Sequence, residues 1–285
     1  MASFEFHSLR HCSLGTLALL FNQAFSDYII KIQLNPQQLK QKMILDRIDL
    51  DYSVGASLNG QWVGFILSAV GLWEGQKTAY NAGTGVVPAY RGNRLTKQMY
   101  NWLIPKLKEA NIHQGLLEVI NTNEVAIHNY KKLGFSITRN LDCMIFKEEK
   151  PLKYPIGDQL ISKELFDLDW EFIKTFWNFQ PSWQNNIEGV KALTGSFAYL
   201  GVFKNDEWVA YAIKDPVKGR IAQFGVQPKH RNQSVGTYLF HSLHSLGNPK
   251  QSIINIDQSD EKTINFLESI GFEFYIGQYE MTCKF

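Results

Sequence analysis

GVVPAYRGNRLT, residues 85–96, and GVQPKHRNQSVGT, residues 225–237, are two versions of one phrase. Each reads Gly-Val, one residue, Pro, two residues, Arg, and then passes into apolar residues at helical spacing. Upstream, SLNGQWVGFIL (57–67) answers to FKNDEWVAYAI (203–213). Both are two apolar runs around a tight-turn dipeptide, Asn59-Gly60 or Asn205-Asp206, which is a β-hairpin signal. Downstream, AIHNYKKLGF (126–135) answers to TINFLESIGF (263–272). Each of these is a helical pattern ending at Gly-Phe, where glycine supplies a left-handed cap. Three matches in one order, offset by roughly 140 residues, indicate a duplicated domain.

The pattern between these landmarks fills in each half. In the first, residues 3–8 read as a strand, and 13–27 and 36–47 as helices. Segments 51–58, 61–72 and 77–87 read as an antiparallel meander. A helix is expected from Leu95 to Ala110, bent at Pro105, which removes one backbone donor. GLLEVI (115–120) reads as a buried strand, 124–133 as a helix and 136–147 as a final strand. The second half repeats the order with shorter connections. The charges, prolines and glycine that follow residue 148 mark a linker. The expected organisation is therefore a domain over 1–148, a linker over 149–160 and a second, diverged domain over 161–285.

With 285 residues, two domains fit better than one. The formal charge of +2 is too balanced for nucleic-acid binding by bulk electrostatics. No apolar run approaches the ~20 residues that span a bilayer, and no secretion signal is evident. Cys12, Cys143 and Cys283 lie far apart without metal-like spacing, and the seven histidines show neither metal nor triad spacing. The expectation is a cytoplasmic protein with reduced thiols, without a metal and without nucleic-acid or membrane partners.

The Val-x-Pro-x-x-Arg turn opens a helix, and unpaired N–H groups at a helix start, with the helix dipole, favour phosphate. The order of meander, turn, helix, strand, helix and Gly-Phe resembles the GCN5-related N-acetyltransferase (GNAT) superfamily, once per half. The resemblance implies an α/β (α+β) fold of two tandem domains, each a mixed, mostly antiparallel sheet flanked by helices. It implies an acyltransferase that moves an acetyl group from acetyl-CoA to a small-molecule or peptide amine by direct attack, as a monomer or homodimer. The pyrophosphate loop would be Arg91, Gly92, Asn93, Arg94, Leu95, Thr96 and Lys97. Backbone N–H groups at Gly85, Val86 and Val87 would polarise the thioester, and Asn123 would hold the pantetheine arm or a water.

The family loop is Arg or Gln, two residues, Gly, one residue, then Gly or Ala. The first copy has Arg94 and Thr96 at the two small positions, whereas the second has Ser234 and Gly236. The resemblance makes Tyr130, four residues before Gly134, the acid that protonates the departing thiolate. The same count back from Gly271 gives Leu267, which has no proton to donate, and Asn123 corresponds to Asp260. Glu118, a lone carboxylate in an apolar strand, is the first candidate base; Glu74 and Asn81 stand behind it, Asn81 able only to orient a water. The first domain is the expected catalytic one. A cofactor site in the second domain, or a non-catalytic acyl-CoA-binding or interaction protein, stand as alternatives.

Overall fold

The computed structural model describes residues 3–148, 160–193 and 195–285. In chain order the elements of the first half are β1 (Glu5–Ser8), α1 (Leu14–Ala24), α2 (Pro36–Asp46), β2 (Val54–Leu58), β3 (Gln61–Trp73), β4 (Gln76–Val86), α3 (Leu95–Glu109), β5 (Gln114–Ile120), α4 (Glu124–Lys132) and β6 (Ser136–Phe146). Those of the second half are β7 (Leu160–Leu165), α5 (Trp170–Lys174), α6 (Ile187–Ala192), β8 (Ala198–Lys204), β9 (Glu207–Lys214), β10 (Arg220–Val226), α7 (Val235–His244), β11 (Ser252–Asp257), α8 (Glu261–Ser269) and β12 (Phe272–Lys284). Residues 149–159 of the expected linker lie outside the described residues, and its last residue, Leu160, opens β7. Helix α1 stops at Ala24, three residues earlier than expected, and α3 runs through Pro105.

Local chemistry accounts for the element ends. Asn59 and Gly60 adopt positive φ (51° and 78°), as do Asn205 and Asp206 (49° and 64°), which matches the twist of a two-residue hairpin. Asn35 and Gln38 form a reciprocal capping box at the start of α2. Gly134 has φ 91°, its N–H donates to the Lys131 carbonyl and the Phe135 N–H donates to the Tyr130 carbonyl. These two bonds define a Schellman motif, which sets Phe135 edge-on against Tyr130 at 5.8 Å.

The chain forms two compact units, Met1–Thr138 with Tyr279–Phe285, and Arg139–Gln278. They divide the chain differently from a cut at residue 148. In the first unit the strand order is β1-β2-β3-β4-β5-β12; β1–β2, β2–β3 and β3–β4 are antiparallel and β4–β5 is parallel. In the second the order is β6-β11-β10-β9-β8-β7, with β10–β11 parallel. Each half of the sequence thus supplies the other unit with its sixth strand. Met281 and Cys283 of β12 are buried in the core of the first unit, beneath α3 and α4. Gly115 is required there, because a Cβ would stand 2.7 Å from Phe285 and 2.9 Å from the Cys283 sulfur. In return Met144 of β6 is buried in the core of the second unit, beside Ile253 and Phe272. No helix among the described residues is long and apolar enough to cross a membrane.

Because Met281 is wholly buried, Met281→Ala is expected to destabilise the first unit by about 2–5 kcal/mol. Removal of residues 279–285 is expected to strip hydrogen-exchange protection from β5 and α3 while β9 and α7 keep theirs. Mass-resolved exchange of the full and shortened chains checks both, and equal loss in the two units would refute the assignment of the strand.

Candidate active site

In the first unit the site begins with a departure from regular pairing. Strand β4 pairs with β5 from Thr78 to Asn81, opposite Gln114–Leu117, and the register goes no further. On its other side β4 pairs Gly83 with Leu67 and Asn81 with Ser68, so Ala82 is the extra residue of a β-bulge. Beyond the bulge β4 leaves β5 and a notch opens between them. Gly85 is essential at this point, since a Cβ would meet Phe65 at 2.7 Å and Ala24 of α1 at 2.8 Å.

The notch edge of β4 offers backbone donors, and parity decides which. Val87 donates its N–H to the Val63 carbonyl at 2.9 Å, so it is committed to β3. Gly85, two residues earlier and opposite Phe65, shares that direction. Val86 faces the other way, with its carbonyl accepting from the Arg91 Nε at 3.2 Å. Of the three residues 85–87, Val86 alone therefore presents its N–H to the notch; Val87 is corrected from donor to sheet partner because its hydrogen is already used.

The loop at 91–97 divides its labour between side chain and backbone. The Arg91 guanidinium is spent inside the chain, donating to both Asp27 carboxylate oxygens at 2.7 Å and to the Ala24 carbonyl at 3.1 Å. That hydrogen bonding holds the Asp27 carboxyl below its usual range and raises the Arg91 value. Arg91 is accordingly a clamp for the loop. Gly92 and Arg94 both adopt positive φ, 83° and 56°, and Arg94 opens α3 with no side-chain cap. Among the described residues, the N–H groups of 92–97 have no protein acceptor, while the Arg94 carbonyl already serves Gln98. The side chains of Arg94 and Lys97 are exposed, so the arc of donors is open to an anion.

Tyr130 and Asn81 meet on the α3–α4 side of the sheet. Asn81 Nδ2 lies 2.8 Å from the Tyr100 hydroxyl, 2.8 Å from Thr84 Oγ1 and 3.4 Å from the Tyr130 hydroxyl. Burial pushes the Tyr130 phenol up, opposed by hydrogen bonds from Thr84 and Asn81, with Tyr28 nearby adding to the rise. Glu118 lies on the other face, because β5 alternates and Leu117 and Val119 belong to the core that holds Tyr130. Its carboxylate accepts from the Tyr80 hydroxyl. Asn123 caps α4, accepting the Ala126 N–H at 3.2 Å, and its amide lies beside the Tyr28 phenol. Glu74 is an exposed residue of the β3–β4 turn with φ 49°, remote from this group. Tyr28, Tyr80, Thr84 and Tyr100 escaped the sequence reading; the spacing of Thr84, three residues past Asn81 across a bulge, carries no sequence signal.

The second unit repeats the geometry with different chemistry. β10 carries a bulge at Ala222 and pairs with β11 only at Arg220–Ile221. Arg231 clamps its loop to the Val226 and Phe176 carbonyls and to the Asn178 side chain. Ser234 opens α7 with φ 61°. A cavity of about 660 Å³ opens here, walled by Phe176, Trp177, Phe224, Phe240 and Phe266. Hydrogen bonds order its polar lining: Tyr211 donates to Gln223, Gln223 donates to the Asn185 carbonyl, the Arg220 guanidinium donates to the Asn185 side chain, and Asn255 donates to Ser182. Leu267 replaces Tyr130, and β11 carries no carboxylate from Ser252 to Ile256, the stretch equivalent to that around Glu118. The retained Gly236 has a packing reason: a Cβ would meet the Phe266 ring at 3.0 Å.

Comparison with known proteins gives this arrangement its class. Residues 20–135 match the family described as Acetyltransferase (GNAT) family. A GCN5-related N-acetyltransferase from Sphaerobacter thermophilus shares the fold at a TM-score of 0.73 and 12% identity, over 99% of this chain and 95% of that one. A tandem GNAT protein from the clavulanic acid biosynthesis pathway does so at 0.71 and 12%, over 99% and 98%. A putative acetyltransferase from Pyrococcus horikoshii does so at 0.69 and 13%, over 99% and 89%. At such identities the likeness is one of fold. No curated protein matches the chain by sequence. The family match thus falls within the first unit, and over the whole chain the likeness to these proteins is one of fold. Two compact units of this fold follow one another in the chain.

Two stability predictions follow from the loops. A non-glycine residue in the left-handed region costs about 1–2 kcal/mol, partly offset by the unfolded freedom of glycine, so Arg94→Gly is expected to stabilise by about 0.5–1 kcal/mol in urea titrations. Residues 236 and 266 correspond to Thr96 and Asn129 of the first unit. Gly236→Thr is expected to destabilise by about 1–3 kcal/mol, and adding Phe266→Asn to relieve much of that overpacking. Additive losses in the double variant would show that the two positions do not share space.

Proposed function

We propose that acetyl transfer from acetyl-CoA to an amine takes place in the first unit. The observation that carries this reading is the Tyr130 hydroxyl, buried at the β4–β5 notch and hydrogen-bonded to Asn81, where the second unit has Leu267. Acetyl-CoA bears a pyrophosphate, and the open N–H groups of residues 92–97 suit it. When bound, it supplies the activated acyl group and the thiolate leaving group. The Val86 N–H stabilises negative charge developing on the acyl oxygen. Glu118, on the opposite face from Tyr130, takes the proton of the incoming amine, directly or through water. Tyr130 gives its proton to the departing sulfur. Placing base and acid on opposite faces keeps the proton removed from the amine apart from the one delivered to sulfur.

The 660 Å³ cavity favours a second reading, in which the second unit holds the cofactor. That unit lacks a phenol or carboxylate at the two equivalent positions, so this reading gives it binding without proton transfer.

The test compares carboxylates at the two left-handed loop positions. Arg94→Glu is expected to weaken acetyl-CoA binding at least about tenfold by calorimetry, while Ser234→Glu leaves it unchanged. The reverse pattern selects the second unit. Tyr130→Phe is expected to lower kcat by about 10²–10⁴-fold with acetyl-CoA affinity retained. Full kcat in that variant would remove the general-acid role.

A further inference from the structure

The contacts of Asn81 give it a task beyond orienting a water. Its orientation is fixed by the chain, because Oδ1 accepts the Gly83 backbone N–H at 3.0 Å and also faces the Thr84 hydroxyl at 3.2 Å. A backbone N–H can only donate, so the amide cannot be turned over without losing that bond. The other end of the amide, Nδ2, therefore faces the hydroxyls of Thr84, Tyr100 and Tyr130. An amide NH₂ accepts nothing. The Tyr130 proton consequently has no acceptor on Asn81; it can turn to the Thr84 hydroxyl or to the notch, where β4 and β5 have parted.

We infer that Asn81 is a positioning residue for proton delivery, an amide locked by the Gly83 N–H that makes the Tyr130 hydroxyl an acceptor on one side and a donor toward the notch. The inference rests on the reading of Tyr130 as the acid. In the step itself the Tyr130 O–H bond breaks and a bond from that proton to the thiolate sulfur forms. The phenolate left behind is held by the Asn81 and Thr84 donors until it is reprotonated from solvent. The same donors oppose the rise that burial imposes on the phenol. The other titratable groups facing this cluster are Tyr28 and Tyr100, with Cys283 beside Tyr100. None of the three carries a charge near neutral pH, and burial pushes each of them up.

Two substitutions separate positioning from packing. Asn81→Ala removes the donor; Asn81→Asp keeps the shape and the acceptor for Gly83 but turns the other end into an acceptor as well. The carboxylate would draw the Tyr130 proton to itself and away from the notch. A packing role makes Asp the milder change, and a positioning role makes it the harsher one. Expected for Asn81→Ala is a roughly tenfold fall in kcat, about one charge-assisted hydrogen bond, with KM for acetyl-CoA within about twofold. Asn81→Asp should fall about tenfold further. The alkaline limb of kcat should move up by about one pH unit in Asn81→Ala, since a phenolate with fewer donors forms less readily. Asn81→Ser, which retains a hydroxyl donor, should recover part of the rate.

Each variant is also made in a Tyr130→Phe background, with thermal melting to confirm folding. There the position-81 changes should have no further effect. If Tyr130→Phe alone is impaired but Asp proves milder than Ala, or the losses persist without the phenol, the positioning role is overturned while the acid role stands. If Tyr130→Phe alone retains full kcat, the acid role falls and this inference with it.

Discussion

A single extra residue on β4 governs the site in the first unit. With Ala82 bulged out, the strand that pairs with β5 as far as Asn81 turns away from it, and its outward backbone groups lose their sheet partner. Buried backbone donors must be satisfied somewhere, so a notch of this kind is an unmet requirement built into the fold. The surrounding residues answer it in different ways. Asn81 Oδ1 takes the Gly83 N–H, Arg91 takes the Val86 carbonyl, and the loop donors at 92–97 remain open. Asp27 and Ala24 hold Arg91 in place, so the clamp links α1 to the loop.

Much of the fold was legible in the chain. The hairpin dipeptides, the Pro-x-x-Arg turns and the Gly-Phe caps are local signals, each with a backbone conformation that those residues favour. Their order twice over was enough to place the sheets and helices. The exchange of final strands was not legible, because β6 and β12 have similar apolar alternation and nothing local says which sheet each joins. In the site, Tyr130 and Glu118 are visible as single residues at telling spacings. The use of Arg91 was not, since its partner Asp27 lies 64 positions away. Nor was the commitment of Val87 to β3, which depends on strand parity across the bulge.

The two units show how one scaffold diverges without losing its frame. Bulge, clamp arginine and left-handed helix opening are kept at Ala222, Arg231 and Ser234. What changed is the lining. Leu267 stands in place of the phenol, β11 has no carboxylate from Ser252 to Ile256, and a hydrogen-bonded chain of Tyr211, Gln223 and Asn185 lines the cavity. Gly236 illustrates a hazard of reading loops by motif alone. Its small size has a packing reason in the ring of Phe266, so a better match to a family pattern is not by itself a sign of a ligand.

The strand exchange also dictates an order of events during synthesis. Residues 279–285 are synthesised long after β5, yet they complete the sheet of the unit that is made first. The first unit must therefore wait, with the edge of β5 uncovered, for about half the length of the chain to be made. Contacts so distant in sequence are slow to form, because the entropy of closing the loop is met before they repay it. For the same reason neither half of this gene encodes a complete domain: a cut at the linker leaves each fragment with a sixth strand that belongs to the other.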